Sequence, residues 1–256
     1  MSQNTKSKTG IVLSGGAVRC FGHLGVLKAL NEHDIYPDII SGVSAGAIVG
    51  VFYAEGRSPD EILDLFLNKR LMNFIEINFS KGLASMNKLR KRLEELLKAR
   101  EFGDLQRKLV VSATNINTAK VVTFDEGTLI DKIMASSSIP VLFKPIEIDG
   151  EYYVDGGVMN NMPIEPISGL CDRIIGVNVN PLGYRKKFEN LIDIAERTFH
   201  LTIMANFINK RDKFDVYIEP EELENFGLFN LKQGEDIFKA GYTFTRKLLK
   251  DKQIKL

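Results

Sequence analysis

The sequence predicts an α/β protein: one three-layer α/β/α domain with a central, mainly parallel sheet. Short apolar runs alternate with amphipathic stretches along nearly the whole chain, the order expected of strands and helices wound in turn. One run, Ile174 to Val179, is apolar apart from Gly176 and Asn178, as a strand covered on both faces must be. No internal repeat or low-complexity linker divides the 256 residues, whose 44% hydrophobic content is ample for one core.

The elements follow in order. Met1 to about Thr9 is polar and reads as a disordered leader. Ile11-Val12-Leu13 is a short buried strand, and Cys20 to His33 a helix with Phe21, Leu24, Leu27 and Leu30 on one side. Pro37 breaks the chain before a second strand, Asp38 to Ser41, and a small-residue helix from Ala45 to Glu55. Ser58-Pro59-Asp60-Glu61 combines a cap, a proline at the first helical position and a capping-box glutamate, so a helix starts there. Met86, Leu89, Leu93, Leu96 and Leu97 recur with helical period. Strands at Leu109–Ala113 and Val121–Phe124 surround a turn at Asn115-Ile116-Asn117. Ile146–Ile148 and Tyr152–Val154 flank Asp149-Gly150, a two-residue hairpin signal. After the run at Ile174 come a helix from Leu191 to Ile208, a strand from Asp215 to Ile218 and a last helix from Gly234 to Leu249.

Composition narrows the function classes. Lys and Arg sum to 34 and Asp and Glu to 33, a net charge of +1 that gives the chain as a whole no pull toward nucleic acid. Two cysteines, Cys20 and Cys171, are too few for a disulfide framework, which points to a cytoplasmic protein. No apolar run reaches the length of a signal peptide core or a membrane span.

Three motifs carry chemistry. Gly42-Val43-Ser44-Ala45-Gly46 lies between a strand and a helix, where a sharp turn pushes the serine hydroxyl out of the packing and the glycines let the two elements approach. Ser44 is the candidate nucleophile, with Gly42 and Gly46 in support. Ser14-Gly15-Gly16-Ala17-Val18-Arg19 is a small-residue turn whose N–H groups suit a phosphate or an oxyanion; it fits neither the dinucleotide nor the P-loop fingerprint. Val154-Asp155-Gly156-Gly157 places a carboxylate at a strand end beside two glycines; alone, such an Asp is more often a plain turn residue.

In this order the motifs resemble the patatin-like phospholipase family, lipid acyl hydrolases that use a Ser–Asp dyad. The family's G-G-G-x-R-G corresponds to Gly15-Gly16-Ala17-Val18-Arg19-Cys20, its G-x-S-x-G to Gly42–Gly46, and its D-G-A or D-G-G to Asp155-Gly156-Gly157. His23-Leu24-Gly25-Val26-Leu27, Ala135-Ser136-Ser137-Ser138-Ile139-Pro140 through Pro145, and Asn160-Asn161-Met162-Pro163 are similar too, so the likeness spans about residues 10–169. It implies a phospholipase A or lysophospholipase type of activity, with Ser44 as nucleophile, Asp155 as general base and the amides of Gly15, Gly16 and Ala17 as oxyanion hole. It implies no cofactor and no metal. Arg19 is expected to bind an anionic substrate or to brace the loop. Two positions depart from the family: Ala17 replaces the third glycine, which suits the hole if its φ is negative, and Cys20 replaces the last. The motif-bearing core is expected over 10–180, with 181–256 packing on the same domain.

Competing readings remain at this level. Ser44, Asp155 and His200 follow the Ser–Asp–His order of α/β-hydrolases, although His200 lies in a helical stretch. A lipid-binding or regulatory module with a compromised loop is the non-enzyme alternative. Between Lys69 and Lys108, eleven basic residues face five acids (76, 94, 95, 101, 104), so this segment is either a peripheral membrane contact or lid, or a solvated helix face. The oligomeric state is not legible.

Overall fold

The computed structural model describes residues 7–68, 86–184, 187–188, 191–228 and 230–251, with 191–193, 195, 196, 199, 208 and 209 as backbone only. Among the described residues, eight strands form one mixed sheet: β1 (Thr9–Leu13), β2 (Ile39–Val43), β3 (Lys108–Asn115), β4 (Lys120–Phe124), β5 (Ile146–Ile148), β6 (Glu151–Asp155), β7 (Arg173–Val177) and β8 (Val216–Ile218). β3, β2, β1, β7 and β8 run parallel in that spatial order, while at the β3 end β4 and β6 pair antiparallel with β3, and β5 antiparallel with β6. Side chains alternate along a strand, so each parallel strand feeds two cores. Ile11, Leu13, Ile40, Val111, Ile175 and Val177 face α1 (Phe21–Asn31), α2 (Ala45–Ala54), α3 (Pro59–Leu67) and α7 (Gly234–Lys250). Val12, Ile39, Val110 and Ile174 face Met162, Ile164 and Ile167, with Met204 and Phe207 from and just after α6 (Leu191–Ala205). The three-layer α/β/α architecture read from the alternation is the one observed.

Local signals translate directly. Ser58 accepts the Glu61 N–H and Glu61 accepts that of Ser58, the reciprocal cap of α3. Asp149 and Gly150 have φ of 52° and 82°, matching a primed turn, and join β5 to β6 with Ile148 opposite Glu151. Asn115 Oδ1 accepts the N–H groups of Asn117 and Thr118, which closes the β3–β4 turn. In α4 (Asn87–Leu96) Leu89 and Leu93 are buried, as its periodicity predicts.

Some boundaries differ. Thr9, expected in the leader, opens β1, and Lys8 is held by the Asp172 carboxylate at 2.7 Å. The sequence does not announce α5 (Leu129–Ser136): its single apolar flank, Leu129, Ile133 and Met134, is too short to stand out.

The C-terminal α7 seats on α1 through glycines. A Cβ at Gly25 would lie 2.1 Å from the Phe238 carbonyl oxygen and 2.6 Å from the Tyr242 nitrogen, and one at Gly241 would meet the Gly22 carbonyl at 2.4 Å. Backbone cannot yield as a flexible side chain can. Gly25→Ala is therefore expected to lever α7 off α1 and cost about 1–3 kcal/mol or more, read as a lower urea midpoint at unchanged m-value.

Candidate active site

Strand pairing brings the serine and the aspartate together. β4 pairs with β3 from Val111 to Asn115 along one edge, so β2 and β6 must share the other. β2 is parallel to β3 and ends with Val43 opposite Ser112; β6 is antiparallel and ends with Asp155 opposite the next residue, Ala113. Two strands thus converge carboxyl end to carboxyl end, with Ser44 and Asp155 at the junction. Ser44 Oγ donates to Asp155 Oδ2 at 2.5 Å.

The junction is held from several sides. Ser44 turns from strand to helix at φ 53° and ψ −127°, a conformation costing a non-glycine residue on the order of 1–3 kcal/mol. Its N–H donates to Ser136 Oγ at 2.8 Å, and that hydroxyl donates to the Ser112 carbonyl at 2.6 Å. The Asp155 N–H donates to the Ser138 carbonyl at 2.9 Å. Gly46 lets α2 start against β1, since a Cβ there would meet the Leu13 carbonyl oxygen at 2.3 Å; Gly156 is as crowded, with the Ser112 carbonyl oxygen at 2.3 Å, while Gly42 and Gly157 are less so, at 2.8 and 2.9 Å.

Asp155 is 4% exposed. Burial lifts its carboxyl from 3.8 to about 6, opposed by the Ser44 hydroxyl and by the Gly157 N–H, which donates to Oδ1 at 2.8 Å. A buried carboxylate with that affinity for protons, in hydrogen-bond contact with a hydroxyl, can accept the hydroxyl's proton as the oxygen attacks a carbonyl.

The Gly15–Ala17 turn lies beside Ser44: a Cβ on Gly15 would sit 3.1 Å from Ser44 Cβ and 2.7 Å from Asn161 Oδ1. Its amides are not equivalent. Gly15 N–H, expected among the oxyanion donors, is given to Asn161 Oδ1 at 3.0 Å. Those of Gly16 and Ala17 have no acceptor among the described residues. Three carbonyls here are engaged: Ser14 by His23 Nε2 at 2.8 Å, Gly15 by Asn180 Nδ2 at 2.5 Å, and Gly16 by the Arg19 N–H at 2.9 Å. Ala17 has φ 46° and not the negative φ expected of it: this left-handed conformation favours the family's glycine and costs an alanine on the order of 1 kcal/mol, although its N–H stays without an acceptor among the described residues. Of the two roles expected for Arg19, the geometry supports bracing. It is 6% exposed, and Nε donates to the Phe226 carbonyl at 2.9 Å. Cys20 packs into the core, and burial pushes its thiol up to about 12.

His200 does not join Ser44 and Asp155. Its Nε2 meets Asn180 Oδ1 at 3.1 Å, and burial with the nearby Arg19 and Arg197 lowers it to about 4, so the ring is neutral and donates. A cavity of about 340 Å³ borders His200, Arg19, Arg197 and Glu224; neither Ser44 nor Asp155 lines it. Of the basic segment Lys69–Lys108, residues 69–85 lie outside the described residues. In the remainder Arg90 pairs with Asp131 and Arg92 with Glu95, so part of the excess charge is answered within the fold. Among the described residues no group of His, Cys, Asp and Glu could hold a metal, and no helix is long and apolar enough to cross a membrane.

A family model described as Patatin-like phospholipase matches residues 11–167. The chain belongs to the patatin-like phospholipase family. An uncharacterized NTE family protein of Mycobacterium tuberculosis is 28% identical over 186 residues, covering 69% of this chain and 50% of that protein. The lysophospholipase NTE1 of Meyerozyma guilliermondii is 24% identical over 273 residues, 93% of this chain and 19% of its own. The chain thus spans half the length, or less, of these relatives. The crystal structure of VipD from Legionella pneumophila shares the fold, with TM-score 0.58 and 19% identity over 96% of this chain and 67% of that one. Within this patatin-like phospholipase chain, Ser44, Asp155 and Asn161 lie inside the matched span, and Asn180 and His200 beyond it.

Sequence reasoning passed over Asn161 as a catalytic neighbour and missed Asn180 altogether. The available signal was position: Asn180 follows an apolar parallel strand at its carboxyl end, where the sites of α/β sheets gather.

Two stability measurements follow. Ala17→Gly relieves the left-handed alanine and is expected to stabilise by on the order of 1 kcal/mol, seen as a higher denaturant midpoint. The unfolded chain ionises Asp155 near its ordinary 3.8 and the native protein only near 6, so stability is lost as pH rises through that window. Asp155→Asn should raise the melting temperature at pH 8 and leave it nearly unchanged below pH 4.

Proposed function

We propose that this protein is a serine acyl hydrolase that cleaves carboxylic esters of lipids, of the phospholipase A or lysophospholipase type. The observation that carries the proposal is the 2.5 Å hydrogen bond from Ser44 to the buried Asp155, set on a strained strand-to-helix turn of the nucleophile-elbow kind. Membership of a phospholipase family and the lysophospholipase relative support the choice of a lipid ester.

In the mechanism Ser44 Oγ attacks the ester carbonyl while Asp155 takes its proton, giving a tetrahedral oxyanion. The free N–H groups of Gly16 and Ala17 face that charge, and the start of α2 adds the positive end of its dipole. Collapse expels the alcohol, which recovers the proton from Asp155; water then repeats the sequence on the acyl-serine. A single carboxylate serves as base because burial has raised its proton affinity toward neutrality. The reaction is carried without metal or cofactor, in a cytoplasmic protein.

A fluorophosphonate ester should label Ser44 and abolish hydrolysis of a short-chain nitrophenyl ester. Ser44→Ala should lose both labelling and turnover. Asp155→Asn should lower kcat by at least about 1,000-fold while the protein remains folded. Because Asp155 must be ionised, kcat/KM is expected to rise with pH through about 6 and level off above. Labelling of the Ser44→Ala variant at the wild-type rate would overturn the assignment.

A further inference from the structure

The N–H of a trans peptide points opposite to its C=O, so whatever grips the carbonyl also aims the amide. β1 lies between β2, which carries Ser44, and β7, which leads to Asn180. Asn180 Nδ2 draws the Gly15 carbonyl toward the β7 side, which turns the Gly16 N–H toward the β2 side, where Ser44 stands. On the preceding peptide, Asn161 Oδ1 takes the Gly15 N–H while His23 Nε2 takes the Ser14 carbonyl. Gly15 is thus gripped by one asparagine at each end. Both side chains are almost fully buried, at 2% and 1% exposure.

We infer that Asn161 and Asn180 form a clamp on Gly15 that aims the Gly16 amide at Ser44, and that His200 is a distal positioning residue that sets the clamp. The inference rests on the acyl-hydrolase reading. An asparagine amide can be turned end for end, and only one orientation donates to the Gly15 carbonyl. His200 selects it. Its neutral ring carries the proton on Nε2, donates to Asn180 Oδ1 and leaves Nδ2 pointing at Gly15. The Asn178 side-chain oxygen adds a second hold by accepting the Asn180 N–H at 3.1 Å. Asn161 performs the reciprocal task, removing the Gly15 amide from competition so that Gly16 and Ala17 supply the donors. On this account His200 never exchanges a proton with substrate. It acts through hydrogen-bond direction alone.

The test uses the full chain and a short-chain nitrophenyl ester, with thermal melting as a check on folding. Asn180→Asp keeps size and shape but cannot donate to a carbonyl when ionised. It is expected to lower kcat about 10- to 100-fold with KM within about twofold, and to slow fluorophosphonate labelling of Ser44 in proportion. His200→Leu should lower kcat about 10-fold. His200→Gln, whose amide N–H can reach Asn180 Oδ1, should recover kcat to within about threefold of wild type, with the pH midpoint unchanged in both variants. Wild-type kcat in Asn180→Asp overturns the clamp, as does His200→Gln no faster than His200→Leu. If His200→Leu fails to fold, Asn180→Asp still decides, and His200→Gln more than about threefold below wild type then overturns the role of His200. Loss of the underlying reading looks different: it would leave Ser44→Ala as active as wild type.

Discussion

The site depends on one piece of strand geometry, the head-on meeting of β2 and β6 along the same edge of β3. A parallel strand that stops at Ser112 and an antiparallel strand that stops at Ala113 leave their two carboxyl ends facing each other at consecutive residues of their common partner. Side chains that follow those ends have little choice but to meet. The serine and aspartate are 111 residues apart in sequence, yet backbone hydrogen bonds rather than side-chain packing fix their separation. The small residues around them are a corollary: three chain segments crowd into the gap between two strand ends, and a Cβ on Gly46 or Gly156 would strike backbone at 2.3 Å.

Much of this was legible in the sequence, and physical range explains what was not. Features closed within a few residues read directly: the capping box at Ser58, the primed turn at Asp149-Gly150, and the serine between an apolar strand and a small-residue helix. The three motifs also announced the candidate site, since each needs its glycines for reasons that spacing reveals. Contacts that span the chain did not read. Asn161 and Asn180 reach Gly15 across 146 and 165 residues; the family-like stretch around Asn161 does not reveal that contact, and nothing local distinguishes Asn180 from a turn asparagine. His200 shows the same limit from the other side: its place in the order Ser, Asp, His suggests a triad, whereas its partner is an asparagine.

The candidate site holds three unfavourable features, which the chain offsets with ordinary packing elsewhere. Ser44 and Ala17 occupy positive φ, and Asp155 is a carboxylate sealed from water. None of these would survive in isolation. They persist because the layers on either side of the sheet are continuous apolar clusters, with Phe21, Phe52 and Phe66 packed edge to face in the larger one. Site and core are thus energetically linked, the second supplying the stability that the first spends.

The two-residue turn at Asp149-Gly150 reaches further than its size suggests. Side chains alternate across a strand, so the turn sets not only where β6 begins but which way every residue after it faces. One inserted residue that slid β6 by one place against β3 would bring Val154 to the place of the carboxylate and send Asp155 to the opposite side of the sheet. A short loop at the periphery therefore acts as the reading frame of the chemistry, and its length is as much a specification of the site as the aspartate itself.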